Sequence, residues 1–147
     1  MRWRGSVAVA FLAAALLIVV AGAVAGTATT GTVVRVHKTS LGKVLATSKG
    51  FTLYLYTGDH HNKSTCSGFC SSLWPPLTTT GRPRAGKGVN QSLLGTTRRP
   101  NGKLQVTYNG HPLYRYSSDK KPGQTNGEGY GQLWYAVSAA GNKVTGR

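Results

Sequence analysis

Leu104-Gln105-Val106-Thr107-Tyr108-Asn109-Gly110-His111-Pro112-Leu113-Tyr114-Arg115-Tyr116-Ser117-Ser118-Asp119 reads as strand, turn and strand in succession. Asn-Gly between two β-prone runs is the strongest short-range signal for a hairpin, because both turn positions need positive φ. The same pattern stands sixty residues earlier in weaker form: Val44 to Ser48, then Lys49-Gly50, then Phe51 to Tyr56. Tyr54-Leu55-Tyr56-Thr57-Gly58-Asp59 matches Tyr114 to Asp119, and each Asp is followed by Leu-Trp, at Leu73-Trp74 and Leu133-Trp134. Gly42-Lys43, Thr47, Gly50, Leu53, Thr65 and Gly81 also recur at this constant offset without a gap. Composition alone would give roughly one match in fifteen positions; the observed density makes the chain a duplication.

Each copy carries about four strand signals. Thr32 to His37 and Ser92 to Thr97 precede the hairpins, and Leu73 to Leu77 and Leu133 to Ser138 follow them. No apolar run after the first 25 residues keeps a helical period. The prediction is an all-β domain of two tandem repeats of about sixty residues, residues 26–87 and 88–147, with roughly eight antiparallel strands. One four-stranded sheet cannot cover its own apolar face, so the halves should share a core as a pseudo-twofold sandwich or barrel. About 120 residues are too few for two independent cores. Thr78 to Lys87, rich in Gly, Pro and Arg, reads as an exposed connecting loop. Alternation puts Tyr54 with Tyr56, and Tyr114 with Tyr116, on the core face. It puts Leu53, Leu55, Leu113 and Arg115 on a face that Arg115 marks as partly wet.

Residues 1–25 have the form of an export leader: Arg2 and Arg4, an uncharged stretch from Val7 to Val20, and Ala23-Val24-Ala25 as a small-x-small cleavage site. The apolar run is also near the minimum for a spanning helix. Signal peptide and retained N-terminal membrane anchor both fit, and either places the remainder outside the cytoplasm.

Eighteen Lys and Arg stand against three acids, Asp59, Asp119 and Glu128, for a formal net charge of +15. Between Asp59 and Asp119 there is no acid, while Lys63, Arg82, Arg84, Lys87, Arg98, Arg99, Lys103 and Arg115 all occur. Such a field attracts polyanions. For an exported chain these are anionic envelope polymers and lipid headgroups; the tyrosines are better read as core than as a stacking platform, so no specific nucleic acid is expected. Enzymatic signatures are missing. There is no Gly-x-Ser-x-Gly, His37, His60, His61 and His111 form no triad pattern, and Gly127 to Gly131 reads as a flexible loop rather than a phosphate cradle.

The motif Tyr-x-x-x-x-Asp at Tyr54 to Asp59 and Tyr114 to Asp119 stands with Cys66-Ser67-Gly68-Phe69-Cys70, Trp74-Pro75-Pro76-Leu77 and Gln105 to Tyr114. Together they closely resemble the bacterial family of secreted repeat proteins and predicted lipoproteins with a conserved Y-x4-D motif, over essentially the whole chain beyond the leader. The resemblance implies a tandem repeat at the cell envelope and carries no established activity. The lipoprotein members have a lipid-acceptor cysteine, and this chain has only Cys66 and Cys70.

Features present in both copies read as architecture. Asp59 and Asp119 are expected to hold the hairpin ends by accepting backbone N–H groups or pairing with Lys or Arg; cation binding or acid–base work would call for more carboxylates at one place. Trp74 and Trp134 read as core plugs. The asymmetric element is His60 to Cys70, because the second copy has Lys120, Lys121, Asn126 and Tyr130 in place of His60, His61, Cys66 and Cys70. Two cysteines in an exported chain favour a disulfide, and a four-residue spacing on one helical turn brings their Cα atoms near 6 Å. The alternative is a copper or zinc site, or a redox site, built from His60, His61, Cys66 and Cys70. The expectation is therefore a non-enzymatic binding module without a cofactor, with the metal-binding accessory protein as the other reading.

Overall fold

The structure, a computed structural model, describes residues 30–145 together with 5 and 19–23. Most of the leader at residues 1–25 lies outside the described residues; among those described, no helix is long and apolar enough to cross a membrane. The fold is all-β. Nine strands are present among the described residues: β1 (Val33–Thr39), β2 (Gly42–Thr47), β3 (Tyr54–Tyr56), β4 (Thr78–Thr79), β5 (Arg84–Ala85), β6 (Leu94–Arg98), β7 (Leu104–Tyr108), β8 (His111–Pro112) and β9 (Trp134–Ala136). They form sheets in the orders β2-β1-β5, β3-β9 and β4-β7-β6, with β8 added to β7, and the path does not close into a barrel.

Asn109-Gly110 turns as expected. Their φ values are 49° and 78°, and Tyr108 pairs with His111 across the two-residue loop. The first copy differs: Thr47 N donates to the carbonyl of Phe51, leaving a three-residue loop that ends in Gly50 at φ 90°. The preceding loops compensate. Thr39 faces Gly42 across two residues, whereas Arg99 N bonds the carbonyl of Lys103 across three. β7 is therefore shifted by one residue against the gapless alignment. Thr47 pairs with Val34, but Thr107 pairs with Gly95, the counterpart of Arg35. The offset of sixty is restored at Leu53 and Leu113, since two loop lengths change in opposite senses.

Neither repeat closes on itself. The last strand of the second copy, β9, pairs with β3 of the first, and β4 of the first copy pairs with β7 of the second. At the centre Tyr54 and Tyr114 exchange both backbone hydrogen bonds, at 2.8 and 3.0 Å, which marks the pseudo-twofold axis. The related bonds run in equivalent pairs: Leu77 N to Leu113 O with Val137 N to Leu53 O, and Val106 N to Leu77 O with Leu45 N to Val137 O. The exchange explains the shared core.

Four expectations change. The supposed loop Thr78 to Lys87 contributes β4 and β5, and β5 pairs with β1 in parallel, Val33 opposite Arg84. The strand expected at Leu73 to Leu77 is preceded by a helical turn, α1 (Phe69–Leu73), and the chain enters the sheet only after Pro75, which has no N–H for a ladder. The Leu face of the hairpins is dry: Leu53, Leu55 and Leu113 are buried with Val34, Leu45, Leu77, Val106, Tyr108 and Val137, and only Arg115 reaches solvent. Gly127 is buried, and a Cβ there would lie 2.7 Å from the Trp74 ring, whereas Gly129 and Gly131 take positive φ, 69° and 58°. β3 is thus covered on both faces, by an aliphatic cluster on one and an aromatic cluster on the other.

Candidate functional site

Exchange of strands carries each Tyr-x-x-x-x-Asp motif to the other copy. The phenol of Tyr54 donates to Asp119 Oδ2 at 2.7 Å, and that of Tyr114 to Asp59 Oδ2 at 2.7 Å. The second oxygen of each carboxylate ties down the following loop: Asp59 Oδ1 accepts from Thr65 N and Oγ1 at 2.7 and 3.0 Å, and Asp119 Oδ1 from Asn126 N at 3.0 Å. Burial, and then the bond to its aspartate, pushes the pKa of each phenol far above its ordinary value. Both tyrosines are held protonated, as donors.

The tyrosines and tryptophans stack across the same axis. Trp74 and Trp134 lie face to face with ring centres 3.9 Å apart and planes 2° from parallel. Tyr116 stacks on Trp74 at 4.3 Å and Tyr56 on Trp134 at 4.5 Å. Tyr54 meets Trp74 edge-on at 5.4 Å and Tyr114 meets Trp134 edge-on at 5.1 Å. Both tryptophans are buried core residues, and each tyrosine that stacks on one belongs to the opposite copy.

The asymmetric loop is a closed ring. Cys66 and Cys70 are joined as a disulfide with Cα atoms 5.3 Å apart, and α1 starts inside it, with Ser71 Oγ and Ser72 Oγ donating to the carbonyls of Gly68 and Phe69. The sulfurs are committed to each other, so a thiolate pair for a metal exists only after reduction. His60 and His61 are exposed. His60 exchanges backbone bonds with Lys63, and the His61 ring lies over Gly110. Among the described residues these histidines and the cysteines are not gathered into one donor cluster. His111 has its pKa lowered by burial and by His61, with Asp59 opposing.

Behind the loop sits a buried cation that sequence reasoning counted only as surface charge. Arg99 donates to Ser64 Oγ at 2.8 Å, to Gln105 Oε1 at 2.7 Å and to the Cys66 carbonyl at 2.7 Å. Ser64 in turn lies 2.7 Å from the Tyr114 oxygen. Because that phenol gives its proton to Asp59, the serine must be the donor. The relay Arg99, Ser64, Tyr114, Asp59 thus runs from a guanidinium to a carboxylate through two hydroxyls. No linear signal exposes it, since Arg99 and Gln105 are two of many positions at which the copies differ, with Thr39 and Leu45 at the offset of sixty.

Two adjoining clefts share Thr32 and Thr78. One, about 540 Å³, is lined by Thr79, Thr80, Arg98 and Lys103 among others; the other, about 410 Å³, by Thr47, Ser48, Lys49 and Arg115 among others. The four cations are exposed and neither lining includes a carboxylate.

The family described as a secreted repeat of unknown function matches the chain twice, over residues 35–78 and 95–138, together more than half of it. The chain belongs to this family. The two matches in this secreted repeat start and end on equivalent residues of the duplicated unit, and its secreted character agrees with an extracytoplasmic location. No curated protein and no solved structure matches the chain. In this secreted repeat the motif residues Tyr54, Asp59, Tyr114 and Asp119 bind one copy to the other, and Tyr56, Trp74, Tyr116 and Trp134 fill the joint between them.

Proposed function

We propose that this secreted repeat is a non-enzymatic binding module that takes phosphate-bearing anions of the cell envelope on the face around Thr32 and Thr78. The observation that carries this reading is the pair of adjoining clefts lined by Lys49, Arg98, Lys103 and Arg115 together with threonine and serine. Cations supply attraction, and the hydroxyls of Thr47, Ser48, Thr78 and Thr80 supply donors to phosphate oxygens, those of Thr32 and Thr79 being given to the carbonyls of Thr78 and Gly81. No carboxylate is among the residues lining either cleft, and Asp59 and Asp119 accept instead from phenols, Thr65 and Asn126. An anionic chain polymer and an anionic lipid surface both offer the required chemistry, and a repeating polymer can follow the two clefts in sequence.

The test is titration with inorganic polyphosphate and, separately, with phosphatidylglycerol vesicles over a salt series. Replacing Lys49, Arg98, Lys103 and Arg115 by Gln should weaken binding strongly and flatten its dependence on salt. The matched variant with Lys63, Lys87, Lys120 and Lys121 replaced, four exposed lysines lining neither cleft, should lose little. Binding to polyphosphate alone assigns the polymer, and binding to vesicles alone the lipid. Equal losses in both variants would mean attraction by net charge alone and sink the proposal.

A further inference from the structure

We propose that the aromatic array is a one-electron conduit joining solvent-exposed Tyr130 to the buried Tyr54–Asp119 pair, its partner being a high-potential metal complex that accepts one electron at the protein surface. The path is continuous. Tyr130, 46% exposed, lies 5.6 Å from Trp74 and 5.7 Å from Tyr116, centre to centre. Tyr54, with no exposed surface, meets those same two rings at 5.4 and 6.4 Å. Tryptophan and tyrosine are the most readily oxidised aromatic side chains, and rings in contact exchange electrons far faster than rings separated by chain.

A conduit also needs a place where the oxidising equivalent comes to rest. A phenol that loses an electron becomes a strong acid and must lose its proton, so a buried tyrosine is oxidised readily only beside a base. Asp119 Oδ2 stands 2.7 Å from the Tyr54 oxygen. The balanced step is Tyr54–OH plus Asp119 carboxylate plus oxidant, giving the neutral Tyr54–O• radical, protonated Asp119 and the oxidant reduced by one electron. The electron leaves through Trp74 and Tyr116 to Tyr130 and out; the proton moves only across the hydrogen bond. No bond between heavy atoms forms or breaks.

The two copies are not equal termini. The Tyr114 oxygen accepts from Ser64, which is itself bonded to the Arg99 cation, and this pull of positive charge makes Tyr114 harder to oxidise. The Tyr54 oxygen accepts only a 3.3 Å contact from Gly127 N besides its bond to Asp119. The entry ring is also one-sided, since Cys70 stands where the second copy has Tyr130. Duplication built the array, and divergence opened it at one end.

The experiment is flash oxidation of the full chain by photogenerated tris(bipyridine)ruthenium(III), followed by transient absorption and electron paramagnetic resonance. The native chain should form a long-lived tyrosyl radical that surface reductants quench slowly. Tyr54→Phe should abolish it and leave a short-lived signal, while Tyr130→Phe, a surface change, should slow its formation. Trp74→Phe should slow it too, whereas Trp134→Phe, also a buried indole but with no ring contact to Tyr54 or Tyr130 among those described, should not. Solvent deuterium should slow its formation in the native chain, and this slowing should change in Asp119→Asn. A radical that stays short-lived and accessible in the native chain, or one indifferent to both Tyr54→Phe and Tyr130→Phe, would overturn the proposal.

Discussion

Tyr54 and Asp119 are joined by a 2.7 Å hydrogen bond between residues 65 apart in sequence, one from each repeat. The symmetric partner, Tyr114 with Asp59, spans 55. Each motif therefore completes its neighbour, and separating the repeats would leave two buried phenols and two carboxylates without their main partners.

Removing either member of the Tyr54–Asp119 pair should cost about 1–3 kcal/mol, because the group left behind stays buried and loses its main partner. Tyr54→Phe, Asp119→Ala and the double variant, measured by urea unfolding, should show a coupling of about 0.5–3 kcal/mol. Additive losses would mean that the bond contributes nothing of its own.

Alkaline pH should unfold the protein through the same phenols. Both are raised above their ordinary value of 10.0 by burial and by their aspartates. The unfolded chain therefore releases protons that the native state keeps. Stability from this source is complete below pH 10 and falls as pH rises beyond it. Tyr54→Phe should remove about half of the extra slope in a series of unfolding curves taken from roughly pH 8 to 11.

The parallel indoles should be visible directly. Rings stacked at 3.9 Å couple their transitions, so the far-ultraviolet circular dichroism should contain an exciton couplet that vanishes in both Trp74→Phe and Trp134→Phe. Truncation of either to Ala should cost about 3–5 kcal/mol.

Gly110 and Gly102 offer a matched comparison. Both have positive φ, 78° and 79°, so Ala should cost each about 1–2 kcal/mol of backbone strain. At Gly102 the new Cβ meets open space, whereas at Gly110 it falls 2.1 Å from the His61 ring. Gly110→Ala should be the worse of the two in thermal unfolding, and His61→Ala should recover the difference.

The disulfide should be a local staple. Replacing Cys66 and Cys70 by Ser opens a ring of a few residues, which by chain entropy alone is worth about 2 kcal/mol. Polyphosphate binding should survive the change, since neither cysteine lines the basic clefts. A loss of binding in a folded double variant would tie the loop to the site.

Duplication, β class, the Asn109-Gly110 turn, the disulfide and the shared core were all legible in the sequence, because each rests on local chemistry or on a length too short for two cores. The pairing of β9 with β3 and of β4 with β7 was not, since strands of either copy satisfy the same alternation. Nor was the one-residue shift of β7, which two loops hide by changing length in opposite senses. Asp59 and Asp119 were recognised as anchors, but their partners were invisible: a carboxylate accepts equally from an amide beside it or a phenol fifty residues away. Sequence by itself determined the duplication, the β class, the Asn109-Gly110 turn and the aromatic core face, but it misread Thr78 to Lys87 as a loop and missed the burial of the Leu face, Gly127 and Arg99. Only the tertiary structure decided which copy supplies each partner, because that choice depends on the geometry across the axis and not on the order of residues along the chain.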